Sequence, residues 1–120
     1  MRRWLVTPIL AAVSLLSGAA ENNWPFDQPR NSAVITQKQV VTGKAPILQV
    51  THDADDHGWQ FLNPNIEVIE SNATVVSLEQ ITKLDSQILE LADLPPGWSA
   101  QRTKVGAKWV REKLPVRSRP

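Results

Sequence analysis

The chain contains no cysteine, no tyrosine and a single methionine among its 120 residues. Without cysteine it can form neither a disulfide nor a thiolate metal site, and it has no cysteine nucleophile. It also lacks the Gly-x-Ser-x-Gly turn of serine hydrolases and the glycine-rich loop that holds phosphates. We therefore expect no enzymatic activity and no cofactor, and we expect stability to come from a hydrophobic core alone.

The longest apolar stretch of the chain lies near its N-terminal end. Arg2 and Arg3 come before an apolar run from Leu5 to Leu16, and small residues occupy positions 17–20. A basic start, a short apolar run and a small-residue exit are typical of a secretory signal peptide, whereas a membrane-spanning helix needs about 20 apolar residues. The sequence predicts a cleavable signal peptide at 1–20, with a buried first helix or an uncleaved anchor as the alternatives.

Small residues at the end of this segment place the cleavage after Ala19 or Ala20. The protein is then expected to be exported, either to the periplasm or to the medium. No stable membrane anchor would remain after cleavage.

Positive and negative charges nearly balance over the whole chain, which has 13 basic and 12 acidic residues. The predicted leader removes two basic residues, so the mature chain would have a net charge of 11 − 12 = −1. This balance gives no overall attraction to nucleic acid, and we expect a protein partner instead. The distribution is uneven, because residues 53–93 are mostly acidic and residues 102–120 are mostly basic.

Hydrophobic patterning predicts short strands and helices. Polar turn residues at 53–58 separate two strand-like segments and predict a β-hairpin. Apolar residues at helical spacing from Ile81 to Leu91 predict a helix capped by Ser77, which Asp85 can split by capping a second one. Pro95-Pro96-Gly97 ends the helical region. Strands are predicted at 33–35, 47–52, 59–62, 74–76 and 98–103, and a first helix at 37–42, capped by Thr36 and ended by Gly43.

These elements predict an α+β domain at 33–113. We expect a small, mostly antiparallel sheet with two or three short helices on one face. An extended lead-in at 21–32, with aromatic residues that lie on the domain, would precede it. A disordered tail at 114–120 would follow it.

The densest cluster of polar side chains is the segment from His52 to His57, which holds both histidines of the chain and three aspartates. On a turn, His52, Asp53, Asp55 and His57 could bind a divalent cation. The spacing fits neither known pattern fully, since a calcium loop would need a glutamate where Pro64 stands, and zinc would need a second ligand pair. A solvated hairpin turn is the alternative reading.

Three ordered segments stand out in the second half of the chain: Gly58–Phe61 (GWQF), Val76–Ile81 (VSLEQI) and Asp85–Gly97 (DSQILELADLPPG). Together they resemble a bacterial domain family of unknown function, some of whose members are classed as immunity proteins of toxin systems. The resemblance covers about residues 47–103. It implies a non-catalytic, immunity-like role, which the predicted signal peptide would move to the periplasm.

The leading hypothesis from the sequence is therefore an exported, non-catalytic protein-binding domain. Four acidic residues, Asp55, Asp56, Glu67 and Glu70, would face a basic partner surface and steer association. An envelope protein that binds a metal or another ligand through His52 to His57 is the alternative.

Overall fold

A computed structural model describes residues 23–116 of the chain. The predicted signal peptide at 1–20 and the last four residues of the predicted tail lie outside this range. The described part contains six strands and three short helices. In chain order they are β1 (Ala33–Gln37), α1 (Lys38–Val41), β2 (Gln49–His52), β3 (Trp59–Leu62), β4 (Ala73–Ser77), α2 (Leu78–Leu84), a 3₁₀ helix (Ser86–Leu91), β5 (Trp98–Gln101) and β6 (Val110–Lys113).

All six strands belong to one sheet, in the order β4-β1-β3-β2-β5-β6. The α+β class is confirmed, but the sheet is mixed rather than mostly antiparallel, because β1 and β3 run parallel with Ile35 opposite Gln60. A parallel pair needs a long crossover, and α1 together with β2 provides it. Such a pairing joins segments more than 20 residues apart, so local patterns do not reveal it.

One face of the sheet is packed against the helices and the other is not. Side chains alternate along a strand, and the register aligns Val50 with Phe61 on one side and with Ala100 on the other. All three side chains are 0% exposed. Helix residues Leu78, Ile81, Ile88 and Leu91 complete this core, with Trp59 and Leu94 beside them. We call this side of the sheet the core face.

The lead-in and the C-terminal segment also belong to the folded part of the chain. Phe26 is buried and contacts the Trp59 ring edge-to-face at 5.4 Å. Leu114, the first residue of the predicted tail, donates its N–H to the carbonyl of Gly97 at 2.8 Å. In the described range no helix has the length and apolar character that crossing a membrane requires.

The helix caps predicted from the sequence are present in the second half of the chain, whereas the one predicted in the first half is not. The Ser77 hydroxyl accepts from the N–H of Gln80, and the Asp85 carboxylate caps the 3₁₀ helix, so both predicted caps are confirmed. The predicted cap Thr36 is wrong. Thr36 lies within β1, where its buried hydroxyl donates across the sheet to the carbonyl of Phe61. The Thr36 hydroxyl therefore bonds to a carbonyl of the neighbouring strand rather than to an N–H of the following helix.

Strand β6 was missed by the sequence analysis. Its four residues are all exposed and show no apolar alternation. Backbone pairing with β5 defines it, with Ser99 opposite Glu112.

Arg102 joins the end of β5 to three other parts of the chain. Its side chain is buried, and its Nε and Nη2 donate to the carbonyl of Ile47 at 3.1 and 2.8 Å. Its Nη1 donates to Gln87 Oε1 at 2.8 Å, and Nη2 also pairs with the carboxylate of Asp85. The guanidinium lies over the Trp109 ring, 4.2 Å from its centroid. A buried charge is tolerated only when it is paired and hydrogen-bonded in this way.

We expect Arg102→Ala to lower the free energy of unfolding by about 3–5 kcal/mol, because it leaves the Asp85 carboxylate and the Ile47 carbonyl without their donor. Urea denaturation measures the loss. Arg111→Ala is the matched control, since it removes an exposed pair with Asp93 and should cost less than about 1 kcal/mol. Equal losses in the two variants would contradict the anchoring role of Arg102.

Candidate functional site

The loop between β2 and β3 is organised by its own aspartates. Asp53 Oδ1 accepts from the N–H of Asp55 at 2.7 Å, and Asp56 Oδ1 accepts from the N–H of Gly58 at 2.8 Å. The N–H of Asp53 donates to the carbonyl of Gly58, which closes the hairpin. His57 takes the left-handed conformation with φ 59°. The predicted hairpin is confirmed, and two of its three aspartates serve the turn.

The four predicted metal ligands are divided between two sides of the sheet. His52 and His57 line a pocket of about 490 Å³ on the core face. Asp53 and Asp55 line a different pocket, of about 380 Å³, on the opposite face. Within residues 23–116, no three His, Cys, Asp or Glu side chains are placed to hold one metal ion together. The structure therefore brings the two histidines together and leaves the two aspartates apart from them.

His52 is held tightly in this arrangement. It is 7% exposed, and its ring stacks on Trp59 with the centroids 3.9 Å apart. Its Nδ1 lies 2.7 Å from the carbonyl oxygen of Leu94. A carbonyl can only accept, so Nδ1 carries a hydrogen, and in the neutral ring Nε2 keeps the lone pair. Nε2 is buried and has no hydrogen-bond partner within the described residues, and the centroid of the His57 ring lies 6.3 Å from that of His52.

Asp93 forms part of the wall of the same pocket. Arg111 donates a hydrogen bond to its carboxylate at 2.8 Å, and this bond lowers the pKa of Asp93 below its ordinary value. Asp93 therefore stays ionised to lower pH than a free aspartate. An ion pair between Asp93 and Arg111 therefore borders the pocket that contains His52.

The four acidic residues predicted to meet a partner lie at opposite ends of β3. Asp55 and Asp56 belong to the loop before this strand, and Glu67 and Glu70 belong to the loop after it. All four are exposed. They form two separate acidic groups rather than one surface.

The side of the sheet away from the core is a second surface, which the sequence analysis did not find. We call it the open face. Its central row runs across all six strands and consists of Val75, Ile35, Gln60, Thr51, Ser99 and Glu112. Exposure varies along the described row: Val75 and Ile35 are 63% and 41% exposed, whereas Ser99 is 2% exposed. Alternation within the short strands is the signal that could have indicated it.

Two neighbouring pockets lie on the open face. The larger, of about 380 Å³, is bounded by Thr51 and Gln60 in the sheet, by Asp53 and Asp55 in the hairpin loop, and by residues 113–116. The smaller, of about 290 Å³, adjoins Gln60 and is lined by apolar side chains of β1 and β4. A shallow, partly apolar surface with acidic groups at its edge suits a macromolecular partner better than a small molecule.

No family model matches the chain, no curated protein matches it and no solved structure matches it. The resemblance to a domain family of unknown function therefore stays a prediction from the three segments quoted above.

The hydrogen bond to Leu94 predicts the tautomer of His52. Long-range ¹H–¹⁵N correlation spectra of the purified protein should show the Nδ1–H form at His52, because the carbonyl requires a donor. The exposed ring of His57 is the internal reference, and His57→Asn assigns the two signals. An Nε2–H form at His52 would contradict this hydrogen bond.

Proposed function

We propose that this protein is an exported, non-catalytic protein-binding domain that contacts its partner through the open face. The observation that carries the proposal is the contrast between the two sides of the sheet. The core face is covered by the helices, whereas Ile35 and Val75 on the open face are 41% and 63% exposed. Adjacent exposed apolar side chains on a sheet mark an interaction surface more often than a single exposed apolar side chain does.

The charges around the open face indicate the chemistry of the partner. Asp53, Asp55 and Asp56 line the two pockets from the hairpin side. A partner with basic side chains would be steered to this end of the sheet, and apolar contacts with Ile35 and Val75 would then hold it. Neutralisation of a toxic partner in the periplasm, which the family resemblance implies, is compatible with such a surface.

A photo-activated cross-linking residue tests the proposal inside the producing cell. Placed at Gln60, in the centre of the open face, it should give one discrete adduct in the envelope fraction. Placed at Lys83, on the exposed side of α2, it should give none. Higher salt should reduce the Gln60 adduct, because charge steering is screened. Equal adducts at the two positions, or none at either, would contradict binding through this face.

A second candidate function rests on His52. An imidazole whose Nδ1–H is fixed by a carbonyl has the orientation found in metal-ligating histidines, with Nε2 as the ligand. We propose as the alternative that a transition-metal ion binds Nε2 of His52 together with the His57 ring, with water as the remaining ligands. Binding would require a small opening, since Nε2 is buried.

Calorimetric titration of the purified protein with zinc, calcium and manganese tests this alternative. We expect saturable binding of zinc alone, because imidazole is a poor ligand for the other two ions. His57→Asn should abolish it while keeping the left-handed backbone, which asparagine tolerates. Asp55→Asn is the matched control and should leave the heat unchanged. The absence of zinc binding would remove the metal hypothesis.

A further inference from the structure

Strand β4 forms one edge of the sheet in the described part of the chain, and it lacks the charged residues and prolines that protect many edges. Its sequence, ATVVS, has no charged residue and no proline. The opposite edge, β6, reads VREK and carries three charges. Charged side chains on an edge strand discourage pairing with another chain. β4 is therefore the edge at which a further strand can be added.

Hydrogen bonds at the two ends of β4 show which backbone groups face outward. The N–H of Leu78 donates to the carbonyl of Ser32 at 2.8 Å, and the N–H of Lys38 donates to the carbonyl of Asn72 at 2.7 Å. Bonded and non-bonded pairs alternate in an antiparallel ladder. Even-numbered residues of β4 therefore bond to β1, and odd-numbered residues direct their N–H and C=O groups away from it.

Two of the outward groups already have partners. The N–H of Ala73 donates to the carbonyl of Ile69 at 2.9 Å. Ser77 is the N-cap of α2, so its carbonyl accepts the first hydrogen bond of that helix. Four outward groups have no hydrogen-bond partner among residues 23–116: the carbonyl of Ala73, the N–H and carbonyl of Val75, and the N–H of Ser77.

We propose that β4 pairs with β4 of a second copy of this chain, antiparallel about a two-fold axis at Val75. In this register the two Val75 residues exchange both of their hydrogen bonds. Each Ser77 N–H donates to the Ala73 carbonyl of the other copy. All four remaining groups are satisfied, and the two groups that already have partners face each other.

This match favours a second copy over an unrelated extended segment. An unrelated segment would place a free carbonyl opposite the N–H of Ala73 and a free N–H opposite the carbonyl of Ser77. In β4 the groups at these positions are already engaged. The symmetric pair avoids this mismatch. The engaged N–H of Ala73 in one copy lies opposite the engaged carbonyl of Ser77 in the other, so neither copy presents a free group there.

The side chains at this edge support the same register. Val75 and Ile35 lie side by side on the open face and are 63% and 41% exposed. The two-fold axis would place the two Val75 side chains in contact, with Ile35 behind each of them. The side chains of Ala73 and Ser77 are small. The pairing opposes no like charges, and it makes the open faces of the two copies continuous.

Sedimentation velocity of the purified protein over a range of concentrations tests the proposal. We expect a monomer–dimer equilibrium with Kd of about micromolar, because two short edge strands bury less area than a standard interface. Val75→Lys should raise this Kd at least about tenfold, since it opposes two like charges. Val110→Lys is the matched control, because Val110 is 68% exposed on β6 and should leave the Kd unchanged.

The register itself is tested by mixing two variants. Val75→Lys and Val75→Glu should each be monomeric alone and should form a mixed dimer together, because position 75 lies opposite itself. A cross-strand separation of about 5.5 Å between Cα atoms also suits a disulfide. The chain has no cysteine, so Val75→Cys should give a single disulfide-linked dimer on oxidation and Val110→Cys should not.

A monomer at every concentration, or a dimer that Val75→Lys leaves intact, would overturn the pairing. The oligomeric state is measured on the purified protein without a partner, so these outcomes can be separated from the failure of the proposed function. A monomeric protein that still gives the Gln60 adduct would retain partner binding and lose only the dimer.

Discussion

Burial of one side of the sheet is the constraint on which the other features of this protein depend. Val50, Phe61 and Ala100 are fully buried and lie in register across three neighbouring strands. A slip of one residue in any of these strands would turn its apolar side chains to the open face and bury polar ones. The register is therefore strongly specified, and the direction of the remaining strand side chains follows from it.

The division of the sheet into a core face and an open face also separates the polar side chains of the hairpin. His52 is the last residue of β2 and points to the core face, where Trp59 and Leu94 enclose it. Asp53 follows it directly and lines the pockets of the open face instead. A cluster that is dense in the sequence is thus divided between two surfaces. One surface contains the buried Nε2 of His52, which no described residue hydrogen-bonds, and the other has carboxylates beside exposed apolar groups.

Buried amide side chains hold the long β3–β4 loop and with it the β4 edge. Gln37 is fully buried, accepts from the N–H of Asn63 and donates to the carbonyl of Ile66. Asn72 accepts from the N–H of Ile69 and donates to the carbonyl of Glu67. These bonds satisfy a loop that has no helix or strand of its own. They also hold the loop whose Ile69 carbonyl accepts from the N–H of Ala73 in β4. The N–H groups of Val75 and Ser77 still point away from the sheet.

Interactions between residues close in the chain were determined by the sequence. The hairpin turn and the caps at Ser77 and Asp85 depend on partners within a few positions. Only the tertiary structure decided the parallel β1–β3 pairing, the strand β6, the role of Thr36 and the open face. The parallel pairing and the role of Thr36 depend on a partner strand 25 residues away, and β6 depends on backbone pairing with β5 rather than on its own side-chain pattern. Local propensity carries no information on such partners, because the chain must first fold to bring them together.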